Sequence, residues 1–506
     1  MSPLILALDQ GTSSSRALLI DAQARVIASH SETFDCDYPH PGWVEVDADL
    51  LWDTQLRAIR SVLAQAEIHP SQITAIGLTN QRETVIAWDR DSGAPLGPAI
   101  VWQCRRSESI CVELRAAGLE GEVRERSGLL LDPYFTATKM RWMLDHWPQA
   151  SRLAAQGRLA FGTVDSWLIW RLTGGQEHLT DASNASRTLL YHLDSGNWDP
   201  WLQQIMGVPT DALPTIVDSS GVVAYTNAAV LGARVPIAGI AGDQQAALFG
   251  QACFQPGMAK NTYGTGCFLL LNTGEERVRS GHGLLSTVAW QLGGQRTYAL
   301  EGAVFVAGAL IQWLRDGLGL ISHAAQSEEL ARQVPDSGGV SIVPAFVGLG
   351  APHWDADARG LICGLTRGST RAHIARAALE AVALQNADLL QAMQRDTGIE
   401  LTELRIDGGM CINDFLCQFQ ADVLGVPVCR PAQHESTGLG AGLLAGLATG
   451  VWSGLDEIAA LRVEQRRFAV QMDATTRQAH LAQWHAAVSR ARSAGAALVP
   501  DSSSVR

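Results

Sequence analysis

The chain contains one short pattern twice: an apolar strand, a polar turn rich in glycine and hydroxyl groups, and a second apolar strand. In the first copy, residues 9–16 form the turn between the apolar runs 4–8 and 17–20. In the second copy, residues 261–268 lead into the apolar run 269–271. Glycine lets such a backbone turn sharply, and hydroxyl and amide groups donate hydrogen bonds to anions. The repeated pattern therefore predicts a duplicated phosphate clamp, which favours a nucleotide enzyme.

The first turn carries side chains suited to a nucleotide and its metal. Thr12, Ser13 and Ser14 offer donors to a phosphate, and Arg16 adds a positive charge. Asp9, at the end of the first strand, can hold a hydrated Mg²⁺ ion. In the second turn Thr265 is the matching candidate for the terminal phosphate.

Length and composition limit the class of protein. A chain of 506 residues predicts two domains of roughly 250 residues, each with its own core. The formal net charge of −13, without a basic tract, argues against nucleic acid or an anionic membrane as a partner. Nine scattered cysteines without a Cys-x-x-Cys pair predict reduced thiols in a cytoplasmic protein.

Several common arrangements are excluded by the sequence. No basic segment precedes an apolar stretch near residue 1, which predicts that there is no signal peptide. No apolar run reaches the ~18 residues of a membrane-spanning helix. The two lysines, Lys139 and Lys260, lie outside any Gly-x4-Gly-Lys motif, so ATP would have to bind without the common P-loop.

The order of predicted elements is similar in the two halves. Each half opens with the Gly-Thr hairpin and later has an apolar strand that ends in Asp beside Gly, followed by a helix. Helices are predicted at 304–314 and 373–393, and closely packed helices in the Gly- and Ala-rich stretch 438–449. We predict domains at 1–250 and 251–506, with a disordered tail at 494–506.

Asp243 is the best candidate for a catalytic base. It follows Gly242 at the end of a buried apolar strand, and phosphoryl transfer needs a carboxylate that accepts the proton of the attacking hydroxyl. Asp at this position could equally cap a helix N-terminus.

A second charged cluster, Arg82-Glu83, also follows a strand. The pair could bind adjacent hydroxyls of a polyol, or it could be an exposed ion pair. Trp102 and Phe268 could form apolar walls against a small carbon skeleton, or they could belong to the core. Tyr134 could add a hydroxyl.

Beside Asp407-Gly408, Gly409 would let a base or ribose approach the backbone, and Asn413 could hydrogen-bond that base. A glycine pair of this kind is also common in plain turns.

Taken together, these motifs resemble the FGGY family of carbohydrate kinases, in particular its members that phosphorylate glycerol. The resemblance is collinear over residues 4–490 and rests on motifs at 9–16, 80–84, 101–106, 134–146, 242–245, 263–268, 360–380 and 407–409. It implies an α/β protein with the actin-like ATPase fold, in which two ribonuclease-H-like domains surround a nucleotide cleft. The first domain would bind glycerol and phosphate, and the second would bind the nucleotide.

The resemblance also implies an activity and the residues that perform it. The protein would transfer the γ-phosphate of ATP to glycerol with Mg²⁺, as a homodimer or homotetramer, with Asp243 as the base. The implied residues that contact glycerol are Arg82, Glu83, Trp102, Tyr134, Asp243, Gln244 and Phe268. The implied residues of the nucleotide site are Thr12, Ser13, Ser14, Arg16, Thr265, Gly308, Gln312, Gly409 and Asn413. Asp9, through water, and Asp243 are the implied metal contacts.

Two other functions are compatible with the same motifs. One is a kinase for another small polyol or a ketose, although Trp102 would crowd a five-carbon sugar. The other is an ATP-binding regulator that has lost turnover, against which the intact Asp9, Asp243 and Thr265 argue.

Overall fold

The computed structural model describes residues 2–433 and 435–493, so the tail predicted to be disordered, 494–506, lies outside the described residues. In chain order the strands are β1 Leu4–Gln10, β2 Ser14–Asp21, β3 Val26–Thr33, β4 Glu45–Val46, β5 Ala75–Asn80, β6 Val85–Asp89, β7 Ala99–Ile100, β8 Leu159–Thr163, β9 Leu179–Asp181, β10 Tyr191–His192, β11 Asn197–Trp198, β12 Thr215–Val217, β13 Ser220–Tyr225, β14 Pro236–Gly242, β15 Ala259–Tyr263, β16 Cys267–Gly274, β17 Leu285–Leu292, β18 Gln295–Val304, β19 Ser341–Val343, β20 Leu361–Cys363, β21 Leu404–Asp407, β22 Val428–Pro431 and β23 Glu464–Phe468.

The α-helices alternate with these strands over most of the chain. In order they are α1 Ala48–Gln65, α2 Glu108–Ala116, α3 Glu120–Ser127, α4 Thr136–His146, α5 Pro148–Ala155, α6 Val164–Thr173, α7 Ala182–Ala185, α8 Pro200–Met206, α9 Ala228–Leu231, α10 Asp243–Gly250, α11 Gly308–Asp316, α12 Gln326–Ala331, α13 Arg371–Thr397, α14 Asp414–Leu424, α15 Ser436–Ala448, α16 Leu455–Leu461 and α17 Ala474–Ala491.

The main sheet contains 13 strands in two halves of the same topology. Its order is β23-β22-β21-β15-β16-β18-β17-β13-β14-β5-β1-β2-β3. In the first half β1 pairs antiparallel with β2 and parallel with β5, and β5 pairs parallel with β14. In the second half β15 pairs antiparallel with β16 and parallel with β21, and β21 pairs parallel with β22. This confirms the predicted α/β fold of actin-like type, with two ribonuclease-H-like units.

Helix α15 packs directly against the strands of the first half, and glycine makes this approach possible. A Cβ on Gly77 of β5 would lie 2.1 Å from the carbonyl oxygen of Ala441, and one on Gly239 of β14 would lie 2.6 Å from the same atom. Neither distance is compatible with a side chain at these positions. The close packing predicted for the Gly- and Ala-rich stretch 438–449 is therefore confirmed, although a single helix accounts for it.

Separate apolar cores lie in the two halves. One large cluster of buried side chains extends from β1 and α1 through α4 and α6, and another surrounds β15, β16 and the long helix α13. Among the helices of residues 2–433 and 435–493, none combines the length and apolar character needed to cross a bilayer.

The helix predicted at 304–314 begins later than its apolar pattern suggests. Val304 is the last residue of β18, where it pairs with Cys267 of β16, and α11 begins at Gly308. An apolar run of this length can satisfy either element, and the strand partner decides its first residues.

Candidate active site

Polar side chains gather where the central parallel strands of the first half end. In the sheet register Asp9 lies opposite Thr79, and Asn80 lies opposite both Gln10 and Gly242. Because the carboxyl ends of parallel strands share one edge of the sheet, the segments that follow β1, β5 and β14 come together there. This edge unites the predicted residues Asp9, Arg82 and Asp243.

Arg82 lies at the centre of a buried network of ion pairs. Its Nε is 3.2 Å from Oδ1 of Asp243, and its Nη1 is 2.5 Å from Oε2 of Glu301. Its Nη1 also donates to Oε1 of Gln245 at 3.2 Å. The Arg82 side chain is 2% exposed, so the alternative of an exposed ion pair is wrong.

Glu83 belongs to the same network, with its Oε1 3.8 Å from Nε of Arg82. Arg187 donates from Nε to Oε1 of Glu83 at 2.7 Å and from Nη2 to Oε1 of Glu301 at 2.9 Å. Glu83 has φ 64°, a left-handed conformation that is costly for a residue with a side chain. Burial raises the pKa of Glu83, and it would also raise that of Glu301, but Arg187 and Arg82 hold the pKa of Glu301 at about 2.

Tyr134 and Trp102 form one wall beside this network. Their ring centroids are 5.6 Å apart in an edge-to-face arrangement, and the Tyr134 hydroxyl lies 3.4 Å from Nη2 of Arg82. The Trp102 indole donates to Oγ1 of Thr12 at 2.9 Å, which connects the wall to the first Gly-Thr turn. Phe268 is half-buried on β16 and, within the described residues, makes no ring contact with either aromatic side chain.

Lys139 fixes the segment that carries Tyr134. Its buried ammonium donates to three consecutive backbone carbonyls, of Pro133 at 3.0 Å, Tyr134 at 2.6 Å and Phe135 at 2.8 Å. Burial lowers the pKa of Lys139 to about 7. An ammonium in this position holds the turn before α4 in one conformation.

Asp243 is the first residue of α10, and Gly242 precedes it as the cap. The Asp243 carboxylate accepts a hydrogen bond from the backbone N–H of Gln244 at 2.7 Å, so it binds a free amide of the first turn without being the N-cap that the capping alternative predicts. Its side chain nevertheless remains 31% exposed, unlike its partner Arg82. The carboxylate is therefore both held in place and accessible to a small molecule.

The first Gly-Thr turn is tied to neighbouring loops through its backbone. Gly11 N–H donates to the carbonyl of Ser14 at 2.8 Å, and Phe34 N–H donates to the carbonyl of Ser13 at 3.0 Å. Gln81 donates from its side chain to the carbonyl of Gly11 at 2.9 Å. Ser13 is exposed, and Ser14 and Thr12 are half-buried, so the turn presents hydroxyl groups at the surface.

Arg16, a predicted phosphate contact, is already paired with an acidic side chain of the protein. It forms an ion pair with Glu435, immediately before α15, and its Nε donates to Oγ of Ser31 at 2.9 Å. A phosphate that binds Arg16 would have to compete with the Glu435 carboxylate.

The second Gly-Thr turn lies on the first residues of α11. Ala307 N–H donates to the carbonyl of Thr265 at 2.8 Å, and Gly308 N–H donates to that of Gly264 at 3.0 Å. A Cβ on Gly308 would lie only 2.6 Å from the Gly264 oxygen, so this contact requires glycine. Thr265 and, one turn along α11, Gln312 are exposed.

Gly409 is the first residue of a short 3-10 helix, Gly409–Ile412, that connects β21 to α14, and Asn413 follows its last residue. Apart from its chain neighbours, no atom of the described residues lies within 4 Å of a Cβ built on Gly409, so the space beside its backbone is open there. The Oδ1 atom of Asn413 caps α14 by accepting from Leu416 N–H at 2.9 Å, which leaves its NH₂ as the end that can donate to a ligand.

The carboxylates at this edge suit Mg²⁺ better than a metal that needs a full set of protein ligands. Within the described residues, no group of three or more His, Cys, Asp or Glu side chains could enclose a metal ion. Mg²⁺ usually binds one or two carboxylates, with water and phosphate oxygens as its other ligands. Asp9 and Asp243 provide two carboxylates close enough to interact. Burial raises the pKa of Asp9 to about 6; the charge of Asp243 also raises this pKa, and the charge of Arg16 lowers it.

Three charged residues of the site are not predicted from the sequence: Arg187, Lys260 and Glu301. A charged residue within the apolar strand β18 was a signal for Glu301, because an unpaired buried charge is rare. Lys260 stood out as one of two lysines in the chain, without an indication of its partners. Nothing in the sequence around Arg187 marks it.

Comparison with known proteins identifies relatives over nearly the whole chain. The FGGY family of carbohydrate kinases matches through its N-terminal domain at residues 4–250 and its C-terminal domain at 259–449. Glycerol kinase of Deinococcus radiodurans is 56% identical over 488 residues, which cover 96% of this chain and 97% of that one. Glycerol kinase 2 of Thermotoga maritima is 53% identical over 486 residues, covering 96% and 98%.

Solved structures show the same fold. The crystal structure of Plasmodium falciparum glycerol kinase with ADP has a TM-score of 0.92 and 34% identity, covering 97% of this chain and 98% of that one. Ligand-bound xylulose kinase of Lactobacillus acidophilus has a TM-score of 0.87 at 22% identity, with 98% and 99% covered, and supports the fold alone.

Proposed function

Because this chain belongs to the FGGY family of carbohydrate kinases, we propose that it transfers the γ-phosphate of ATP to glycerol, giving sn-glycerol 3-phosphate and ADP. The observation that carries the proposal is the contact between Arg82 and the accessible carboxylate of Asp243, next to a wall that is itself bonded to the first Gly-Thr turn. Full-length relatives named glycerol kinase, at 53–56% identity, support the choice of acceptor.

In the proposed mechanism Asp243 accepts the proton of the attacking hydroxyl. The N–H of Gln244 and the guanidinium of Arg82 hold its carboxylate from two directions, at 2.7 and 3.2 Å. A fixed carboxylate within reach of the hydroxyl contributes by position as well as by basicity.

The remaining acceptor residues would bind and orient glycerol. Arg82 and Glu83 offer a donor and an acceptor to neighbouring hydroxyls, and their mutual network with Glu301 and Arg187 fixes both side chains before glycerol arrives. The Trp102 indole is fixed by its hydrogen bond to Thr12, so it would limit the length of the acceptor that fits beside Arg82 and Asp243. We assign glycerol contacts to Arg82, Glu83, Trp102, Tyr134, Asp243, Gln244 and Phe268.

The two Gly-Thr turns would bind the phosphates of ATP from opposite sides. Backbone N–H groups and hydroxyls in such turns suit phosphate oxygens, and the open backbone at Gly409 suits the base or ribose. We assign nucleotide contacts to Thr12, Ser13, Ser14, Arg16, Thr265, Gly308, Gln312, Gly409 and Asn413. Mg²⁺, when bound, neutralises phosphate charge, and Asp9 and Asp243 would hold it and its waters.

The domains proposed at 1–250 and 251–506 would share the acceptor site. Glu301 of the second domain binds Arg82 and Arg187 of the first, and Lys260 of the second binds Gln244 of the first. Movement between the domains would therefore act directly on the acceptor residues.

The experiment is a measurement of ADP release by the purified protein with Mg-ATP and one of four additions: glycerol, dihydroxyacetone, xylulose or no acceptor. Strong stimulation by glycerol alone is the expected result. Stimulation by xylulose would retain the base and the fold but overturn the assignment of Trp102 as a limit on acceptor size. Bound ATP without stimulation by any acceptor would favour a non-catalytic regulator.

A further inference from the structure

Lys260 is a buried cation without a carboxylate partner. It is the second residue of β15, opposite Leu270 of β16 and Arg405 of β21, and its side chain is fully buried. Within the described residues no carboxylate is within 4 Å of its Nζ, which donates instead to Oε1 of Gln244 and, at 2.8 Å, to Oγ1 of Thr262.

Burial of such a cation is costly for the fold. A buried ammonium that meets only neutral acceptors loses its hydration without the attraction of a paired charge. Burial lowers the pKa of Lys260 to about 8. The negative charges of Asp407, Asp243 and Glu301 raise this pKa, and the positive charge of Arg82 lowers it further. Because Lys260 lowers the stability of the fold and lies beside the acceptor site, we look for its role in the reaction.

The contact with Lys260 determines which way the Gln244 amide points. An ammonium group has donors only, so the carbonyl oxygen of Gln244 must face Lys260. The NH₂ end of the same amide then faces the reaction centre, where it donates to Oδ2 of Asp243 at 3.3 Å. The opposite orientation would place two sets of donors against each other.

We propose that Lys260 is a positioning residue for phosphoryl transfer, which fixes the Gln244 amide and, through it, the carboxylate of Asp243. Asp243 is then held at one oxygen by Arg82 Nε at 3.2 Å and at the other by the Gln244 side chain. This inference rests on the proposed function and extends it to a residue outside the glycerol contacts assigned above.

The test is a double-mutant cycle in kcat with Lys260→Met and Gln244→Met. Methionine keeps the length and volume of each side chain and removes its polar end. If Lys260 acts through Gln244, each single variant lowers kcat by about 10-fold or more, and the double variant is no slower than the slower single variant. The KM for ATP stays within about twofold of the wild-type value in all three variants.

Two outcomes would overturn the inference. Lys260→Met with a lowered Tm and a kcat within twofold of wild type would show a structural role only. Losses that multiply in the double variant would show that Lys260 acts independently of Gln244. Should Lys260→Met fail to fold, Thr262→Val loosens the ammonium at its other partner, and an unchanged kcat in that variant would equally count against the inference.

Lys139→Met is the matched control, because it removes the other buried lysine. Its ammonium binds the carbonyls before α4, so its loss should raise the glycerol KM through Tyr134 and leave kcat largely intact. Wild-type turnover without any dependence on glycerol would refute the proposed function. Glycerol-dependent wild-type turnover with an undiminished kcat in Lys260→Met would refute the Lys260 inference alone.

Discussion

The acceptor side and the nucleotide side of the candidate site differ in burial and in the groups that they present. Arg82, Glu83 and Glu301 on the acceptor side are buried and joined by ion pairs. Thr265 and Gln312 on the nucleotide side are exposed, and their surroundings are joined by backbone hydrogen bonds. The acceptor side is thus fixed by ion pairs between buried side chains, whereas the nucleotide side presents exposed polar groups on a turn held by its backbone.

This difference has an energetic reason. A small polyol carries no charge and offers little binding energy, so a site for it benefits from side chains that are fixed in advance. A nucleotide brings charged phosphates that can themselves order the loops they bind. Variants on the acceptor side should therefore affect stability and catalysis strongly, and variants on the nucleotide side weakly.

Asp243→Asn should give the largest effect. Loss of a general base lowers kcat by about 10²–10⁴-fold, and asparagine retains the shape of the side chain. Binding of ATP, measured by calorimetry, should remain because the two Gly-Thr turns are unaltered. A kcat close to the wild-type value, or a loss of activity explained entirely by weaker ATP binding, would contradict the assignment of Asp243 as the base on the acceptor side.

Glu301→Gln should destabilise the protein severely. It removes the carboxylate shared by Arg82 and Arg187, and breaking a buried ion-pair network costs about 3–5 kcal/mol. Urea denaturation measures this free energy of unfolding. The exposed Glu275→Gln is the matched control and should change it by less than about 0.5 kcal/mol.

The same substitution should alter the pH dependence of stability. The pKa of Glu301 is held at about 2, below the ordinary 4.5, so its contribution is present above pH 4.5 and is lost as the pH falls towards 2. The free energy of unfolding of Glu301→Gln should therefore decline less over this interval than that of the wild type. If the free energies of unfolding of the wild type and of Glu301→Gln fell equally with pH, Glu301 would not be ionised in the folded protein.

Arg82→Ala should raise the KM for glycerol more than the KM for ATP. A charge-assisted hydrogen bond contributes about 1.5–3 kcal/mol, which corresponds to a rise of roughly 10–100-fold. Steady-state kinetics with each substrate varied in turn gives the two values. An unchanged KM for glycerol would contradict the assignment of Arg82 as a glycerol contact.

Acid pH should weaken Mg²⁺ binding through Asp9, which interacts with Asp243 of the acceptor side and Arg16 of the nucleotide side. Burial raises the pKa of Asp9 to about 6 from 3.8, so the carboxyl is protonated below pH 6 and only its ionised form binds a metal. The Mg²⁺ concentration for half-maximal activity should rise about tenfold per pH unit below 6. Asp9→Asn should require more Mg²⁺ than the wild type above pH 6 and lack this pH dependence.

Thr265→Ala should give the smallest effect. Loss of one hydrogen bond from an exposed loop costs about 0.5–1.5 kcal/mol, so the KM for ATP should rise by roughly 2–10-fold while the glycerol KM remains unchanged. An effect on kcat as large as that of Asp243→Asn would show that the nucleotide side is no less organised than the acceptor side.

The sequence predicted those parts of the fold and site that depend on local pattern. Both Gly-Thr hairpins and the strands that end before Arg82 and Asp243 lie where the apolar runs placed them. The start of α11 was misplaced because the apolar run at 304–314 fits a strand as well as a helix, and pairing with Cys267 extends β18 to Val304.

The network around Arg82 could not be predicted because its members are distant in sequence. Arg82 and Glu301 are 219 positions apart, and Arg187 and Glu301 are 114 positions apart. Each charge is stable in the interior only because the others are present. A pattern read along the chain shows the position of a charge, but its partner appears only when the strands are assembled.

Both lysines of the chain are buried, and this gives the protein a built-in reporter of its motions. Reagents that acylate primary amines reach Lys139 and Lys260 only when the structure opens locally. The rate of acylation, followed by mass spectrometry, would then time the opening of the site, and bound acceptor or nucleotide should slow it. A lysine-specific protease should likewise spare the closed chain and cut the opened one into three fragments.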